Sequence, residues 1–311
     1  MRVALVAKSA PTSPAAHQPL LLGTNIWPGY EPFYLARAAG FLDDSQVRLA
    51  EFSSTSEVMR AFQNGSIQLA ATTLDEALLL AAKEVAFKVI LVADVSAGGD
   101  GILARPIYPD LASLRGKRIG LETTALGGFL LHRALELRHL NKGDFTLVSV
   151  SADRHQEAYL KGMVEAIVTF EPCRSQLLAL GAREVFSSRE LPGEVIDILI
   201  ANPEALQTHP QQIQALLKAW FQAVERIHNQ RSQVEPLIAD RMGIPLNQVG
   251  ASFNGLVFPD LAENLRLLQG EAPPLANNLN QLSRVMREMG LLTQPVDLSD
   301  WIDVTPLQPM P

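Results

Sequence analysis

Residues 64–75, Asn-Gly-Ser-Ile-Gln-Leu-Ala-Ala-Thr-Thr-Leu-Asp, return in altered form as residues 161–172, Lys-Gly-Met-Val-Glu-Ala-Ile-Val-Thr-Phe-Glu-Pro. Each copy reads as a helix ended by a glycine (Gly65, Gly162), a short apolar strand, and a polar turn at Thr72 or Thr169 that opens the next helix. A chain carrying this unit twice predicts two similar α/β lobes. Turns of this kind sit at the carboxyl ends of parallel strands, where open α/β sheets bind ligands. Two of them facing each other across a cleft would let both lobes hold one small molecule.

The alternation of apolar runs and helical stretches extends to either side of each copy. Strands are expected at 20–25, 47–52, 67–71 and 87–95, and again at 117–122, 145–150, 164–169, 184–187 and 196–201. Helices are expected between them, one of them capped by Asp153. From Pro203 the pattern is helical, and the Pro-rich end after Thr293 is expected to pack around the first lobe. The expected division is a tether over 1–18, a first lobe of 19–102 with 200–311, and a second lobe of 103–199. The crossovers are placed near 101–104 and 198–202, next to the glycine cluster at 98–101.

With 311 residues, 47% of them apolar, the chain is long enough for two ordinary cores. Its net charge is −7 and its Lys and Arg residues are scattered, so it lacks the electrostatic footprint of a nucleic-acid binder. Cys173 is the only cysteine, and no Cys/His group has metal-ligand spacing, so neither a disulfide, a metal nor a cofactor is expected. Residues 1–18, a short apolar run and then a Pro/Ala/Ser/Thr tether, read as the truncated tail of a secretory signal with its linker, or as an ordinary loose terminus. Leu5-Val6-Ala7-Lys8-Ser9 resembles a lipoprotein cleavage box with Lys8 where the lipidated cysteine would stand, which excludes lipidation there. No later stretch is long and uncharged enough to span a membrane.

Five segments in order carry a more specific signal: Ile26-Trp27-Pro28-Gly29-Tyr30, Ala36-Arg37-Ala38-Ala39-Gly40-Phe41-Leu42, Gly99-Asp100-Gly101-Ile102, the stretch 110–120, and Thr169-Phe170-Glu171-Pro172. Together, over residues 20–290, they resemble the nitrate/sulfonate/taurine-type solute-binding proteins of bacterial ABC importers. The sequence departs at Phe170, where many relatives carry Trp. The resemblance implies a two-lobed periplasmic-binding-protein fold of type II, with doubly wound lobes joined by two crossover strands and closing on a ligand by hinge motion. It also implies an extracytoplasmic monomer that captures a small polar molecule (zwitterionic, amine-bearing or sulfonate-like) and hands it to an ABC permease.

The resemblance locates the ligand contacts, and elementary chemistry weighs them. Trp27, Tyr30 and Phe170 bring flat surface to the cleft, where the first two stack on a ligand or else staple the core. Ser54, Thr55, Thr72 and Thr73 stand at helix starts, which attract anionic groups, although simple N-capping explains any one of them. Thr123, Thr124 and Gly127 repeat the device in the second lobe, without the Gly-Lys-Ser/Thr ending of a P-loop. Asp100, Glu171 and Asp197 either converge on an amine or serve as caps and surface acids. With no Arg at an obvious strand end to clamp an oxyanion, the balance favours a zwitterionic, amine-bearing or neutral ligand. Replacing Trp27, Asp100 or Glu171 with Ala is expected to lower affinity and leave the apo midpoint nearly unchanged.

Two alternatives remain open at this level. A ligand-sensing subunit for a membrane signalling protein would need the same closed form. A thiamine-pyrimidine-synthase-like enzyme would need the cysteine-rich iron motif of that branch, which is absent, and no Gly-x-Ser-x-Gly or His-Glu-x-x-His pattern replaces it. His132 and His139, seven apart, read as surface residues. The expectation is therefore a binding protein without catalysis.

Overall fold

A computed structural model describes residues 18–122, 126–297 and 299–308. The first three strands are β1 (Leu20–Asn25) and β3 (Leu69–Thr73), both mostly buried, and the half-exposed β2 (Val47–Phe52), which carries Arg48 and Glu51. They alternate with α1 (Glu31–Ala38), α2 (Thr55–Gln63) and α3 (Leu74–Ala81), followed by β4 (Lys88–Ser96). The second set is β5 (Asp100–Ala104), β6 (Arg118–Leu121), α4 (Leu126–Leu137), β7 (Thr146–Ser149), α5 (His155–Leu160), β8 (Ala166–Phe170), α6 (Cys173–Ala179) and β9 (Arg183–Ser187). The chain then returns through β10 (Ile196–Ala201) to α7 (Pro203–Thr208), α8 (Pro210–Asn229), α9 (Arg231–Met242), α10 (Leu246–Phe253), β11 (Leu256–Val257), α11 (Leu261–Leu268) and α12 (Pro274–Glu288).

Two sheets result, ordered β2-β1-β3-β10-β4-β11 and β7-β6-β8-β5-β9. Each has three parallel strands in the same winding order, with the next strand antiparallel to them. The internal repeat is visible in the register. Leu22 faces Leu69 and Gly23 faces Ala70 in the first sheet; Ile119 faces Ala166 and Gly120 faces Ile167 in the second. Gly65 and Gly162, at φ +76° and +71°, take the left-handed conformation that ends the helix before each repeated strand.

The chain changes sheets earlier than the sequence placed it. It leaves the first sheet after Ser96 and joins the second at Asp100, and it returns between Ser187 and Ile196. Asp100 to Ile102 therefore pair within the second sheet and Ile196 to Leu199 within the first. The glycines around Asp100 look like a loop in sequence, but Gly101 is held between Thr169 and Ser187 as a full member of the ladder. Ser188, fully buried, ties the two crossovers together: its hydroxyl accepts the Gly98 N–H at 2.7 Å and meets the Ser96 hydroxyl at 2.9 Å.

The first lobe carries the larger core, in which Phe33 packs on Trp220 with ring centroids 4.3 Å apart. The C-terminal segment packs on this lobe as expected. Trp301 meets Phe87, and backbone hydrogen bonds join Val89 to Trp301 and Asp303, covering part of the β4 edge. Three local expectations need correction. Asp153 does not cap α5, whose N-cap is Arg154; its carboxylate accepts from the Ser151 hydroxyl instead. The strand β11 interrupts a stretch expected to be helical, and the helix α11 is an element the sequence reading did not separate.

Candidate ligand cleft between the lobes

The first wall is set by the turn after β1. Residues 28–30 form one 3₁₀ turn that swings Trp27 and Tyr30 inward, and both are buried. The Trp27 indole N–H donates to Asp94 at 3.0 Å, and the Tyr30 hydroxyl donates to Asp197. Gly29 is required for this geometry, because a Cβ there would lie 1.8 Å from the Asp94 carboxylate and 2.2 Å from the Trp27 nitrogen. Asn25 at the end of β1, Thr55 at the start of α2, and Thr73 and Glu76 at the β3–α3 junction complete this side.

From the second lobe come Asp100 at the start of β5, Glu122 after β6, Leu126, Gly127 and Leu130 of α4, His155 of α5, and Val168 to Phe170 of β8. The lobes touch across the cleft. Phe170 meets Trp27 edge-on at 5.9 Å between centroids, and the Ser56 hydroxyl of α2 donates to the Glu122 carboxylate. The space between these walls leaves about 40 Å³ for the centres of water-sized molecules, room for a few of them.

Four carboxyl groups line this space, Glu76, Asp100, Glu122 and Asp197, and no Lys or Arg lines it among the described residues. At Glu76, Asp100 and Asp197 burial is the first cause of a raised value. It pushes Asp100 up to about 7, reinforced by the negative fields of Asp75 and Glu171. Glu76 is pushed to about 8 by burial and by Asp75, and Asp94, behind Trp27, to about 8 by burial and by Asp100. Burial and then Asp94 raise Asp197 well above the carboxylate range. Burial also holds His155 down to about 4, so its ring is neutral. The Val150 carbonyl can only accept, so Nε2 carries the proton towards it at 3.3 Å and Nδ1 accepts from the Thr169 hydroxyl at 3.1 Å.

Of the residues singled out in the sequence, Trp27, Tyr30, Thr55, Thr73, Asp100, Gly127, Phe170 and Asp197 lie around this one cavity. Ser54 and Thr72 do not line it. Ser54 caps α2 by accepting the Glu57 N–H at 3.4 Å, and Thr72, fully buried, donates to Glu76 at 2.7 Å. Thr123 and Thr124 fall outside the described residues. A Cβ on Gly127 would stand 2.9 Å from the Glu122 carbonyl oxygen, so its small size also serves its own loop.

Glu171 is held elsewhere. It is fully buried, and its carboxylate accepts from Arg174 at 2.9 Å and from the Ser175 N–H and hydroxyl at 3.0 and 2.9 Å. Glu171→Ala is therefore expected to destabilise the ligand-free protein by about 2 kcal/mol, by stripping a charged partner from the buried Arg174. Denaturant unfolding checks this; an unchanged midpoint would return Glu171 to the ligand. Sequence reasoning missed Asn25, Glu76, Glu122 and His155. Only Glu76 carried a signal, standing three residues after Thr73 as in a capping box, and its carboxylate does accept the Thr73 N–H at 3.0 Å.

Comparison with known proteins adds three likenesses and a family. The NMT1-like family profile matches residues 13–240. The taurine-binding periplasmic protein of Escherichia coli (strain K12) is 19% identical over 258 residues, spanning 74% of this chain and 80% of that protein. The alkanesulfonate-binding protein of Xanthomonas axonopodis pv. citri, solved bound to MOPS, superposes with a TM-score of 0.78 at 18% identity, covering 91% of this chain and 97% of that one. A desulfurization enzyme superposes with a TM-score of 0.66 at 18% identity, covering 94% and 98%. Neighbours of this fold thus include both carriers and a catalyst, and the likeness alone does not choose between them.

Proposed function

Because this chain belongs to the NMT1-like family, we propose that it is an extracytoplasmic solute-binding protein, a monomer that captures a small polar molecule between its lobes and delivers it to an ABC permease. The observation that carries this reading is the cavity itself, lined from both of two sheets that repeat one winding order and bridged by contacts between its walls. Likeness to a taurine-binding periplasmic protein supports the same role. No helix among the described residues is long and apolar enough to cross a membrane.

The reading assigns no chemistry to the cleft. Cys173 lies outside it, in the adjoining depression with Pro172 and Gln176, and burial pushes its thiol up to about 11, far from a reactive thiolate. Hinge closure makes a specific demand: Ser56→Ala removes the hydroxyl that meets Glu122 across the cleft, so ligand affinity should fall about three- to tenfold, the worth of one hydrogen bond. Calorimetric titration measures it once a ligand is found. The ligand search is a thermal-shift screen of sulfonates, amino acids, amines, ureas and pyrimidines, in which a compound at a hundred times its Kd adds about 2.7 kcal/mol. A folded protein that answers to none of them would overturn the proposal.

A further inference from the structure

The charge and hydrogen-bonding pattern of the cleft goes further than its shape. Resting on the solute-binding reading above, we infer that the cleft takes a small organic cation, an ammonium or guanidinium whose N–H groups donate to Asp100, Asn25 and Asp197, and that it rejects sulfonates of the same size.

The first support is a deficit of donors. Asp100 and Asn25 line the cavity, are 2% and 5% exposed, and each leaves a side-chain oxygen (Oδ2 and Oδ1) without a hydrogen-bond partner. A buried acceptor left unpaired is costly, and a ligand that donates relieves the cost. A sulfonate has only acceptor oxygens and can satisfy neither the Asn25 oxygen nor the ionised Asp100 carboxylate.

The second is that the charged and backbone donors nearest the cavity are committed, although the buried Thr73 hydroxyl on its wall has no partner and can serve a ligand as donor or acceptor. The N–H of Thr73 at the start of α3 is taken by Glu76, and the N–H of Glu57 in the first turn of α2 by Ser54. Arg174, the cation whose field reaches Asp100, is bound to Glu171 and Glu184. An oxyanion site would need such groups free. The aromatic surfaces of Trp27, Tyr30 and Phe170 suit a cation as well as they suit any flat ligand.

A cation arriving here must displace protons. Asp100 is faced by Ser96 from β4, Asp75 from α3, Glu171 beyond β8 and Arg174 from α6; Asp197 is faced by Tyr30, Asp94, Asp100 and Glu76. Negative neighbours outnumber positive ones at both, which together with burial keeps Asp100 protonated up to about 7 and holds Asp197 well above the usual carboxylate range in the empty cleft. The ligand's charge favours the ionised forms, so binding releases protons and strengthens as pH rises towards 8.5.

The test titrates the full chain by calorimetry with four small probes: ethanesulfonate, taurine, ethanolamine and methylguanidine, at pH 6.5 and 8.5. Ethanolamine or methylguanidine is expected to bind at least tenfold more tightly at the higher pH, with heats that vary with the ionisation enthalpy of the buffer, and ethanesulfonate not to bind. Asp100→Asn, checked by its thermal midpoint for folding, should lower cation affinity at least tenfold and flatten the pH dependence. If that variant fails to fold, the buffer dependence of the unsubstituted protein decides. Binding of ethanesulfonate or taurine in preference to both cations overturns the inference and leaves the solute-binding role standing. No response to any of the four overturns the cation inference, and silence in the broader screen as well removes the solute-binding role with it.

Discussion

Titrating the ligand-free protein from pH 5 to pH 8.5 is expected to lower its stability, by on the order of 3 kcal/mol through Asp100 alone. The carboxyl of Asp100 holds its proton in the folded state up to about 7, whereas an unfolded chain gives it up at the model value of 3.8. Between those two values the native state binds more protons than the unfolded one, so stability falls as pH rises, and the loss is complete above the folded value. Glu76 and Asp94, each pushed up to about 8, extend the same trend through that pH, coupled rather than additive. His155 opposes it: burial holds the ring neutral down to about 4, so the unfolded chain alone takes up a proton near 6.5, which costs about 2 kcal/mol at pH 5. The carboxyl groups outnumber it and set the direction. Asp100→Asn keeps the shape and removes the ionisation, so the variant should be more stable than the parent by about 4 kcal/mol at pH 8.5 and by about 2 kcal/mol at pH 5. Urea unfolding at a series of pH values measures both curves. A parent protein more stable at pH 8.5 than at pH 5 would show that these groups are charged and solvated in the free state. A binding site that destabilises its own fold in this way is the usual trade of stability for function.

What the sequence disclosed follows the range of the interactions involved. The repeat at 64–75 and 161–172 was readable because each copy is local, a glycine-ended helix and then a strand, and the same local code gave the matching register of Leu22 with Leu69 and Ile119 with Ala166. The crossovers were misplaced because Gly98, Gly99 and Gly101 suggest a loop, while the partners that hold Gly101 in a strand, Thr169 and Ser187, lie far along the chain. Helix α11 had a readable start: Asp260 accepts the Glu263 N–H at 2.8 Å, and Leu261, Leu265 and Leu268 follow at helical spacing. Prolines on either side obscured it.

In the cleft the limit is which way a side chain turns. Thr72 and Thr73 are equal in sequence, but strand alternation sends one hydroxyl to Glu76 and brings the other residue to the cavity wall. Glu171 was a candidate acid beside an apparent strand end, and three residues of helix geometry carried it to Arg174 instead. Asp94 was invisible because its importance comes from pairing: β10 runs antiparallel to β4 with Asp197 opposite Asp94, which places two carboxyl groups side by side under Tyr30 and Trp27. His155 has no local signal at all.

Arg241 is held by the same kind of long-range pairing, and Arg241→Ala is expected to destabilise the protein by about 3–5 kcal/mol at pH 8.5. Its Nε lies 2.8 and 2.7 Å from the two carboxylate oxygens of Glu31, which is 1% exposed, and its other nitrogens reach Glu31 and Glu51. The guanidinium also stacks over the Tyr34 ring, 3.8 Å from its centroid. One side chain of α9 thus fastens α1 and the end of β2. Without it Glu31 is a buried charge with no partner. Burial already pushes that carboxyl up to about 7 against the pull of Arg241, and removing the guanidinium must raise it further. The variant can therefore escape part of the penalty by taking up a proton, so the loss should be smaller at pH 5.5 than at pH 8.5. Adding Glu31→Gln to Arg241→Ala should recover stability at the higher pH, and Arg241→Lys, which keeps the charge and loses the fork and the stacking, should fall between parent and Ala variant. Denaturant unfolding of the four proteins at both pH values separates the contributions. A loss below about 1 kcal/mol at both would reduce the pair to an ordinary solvent-screened contact.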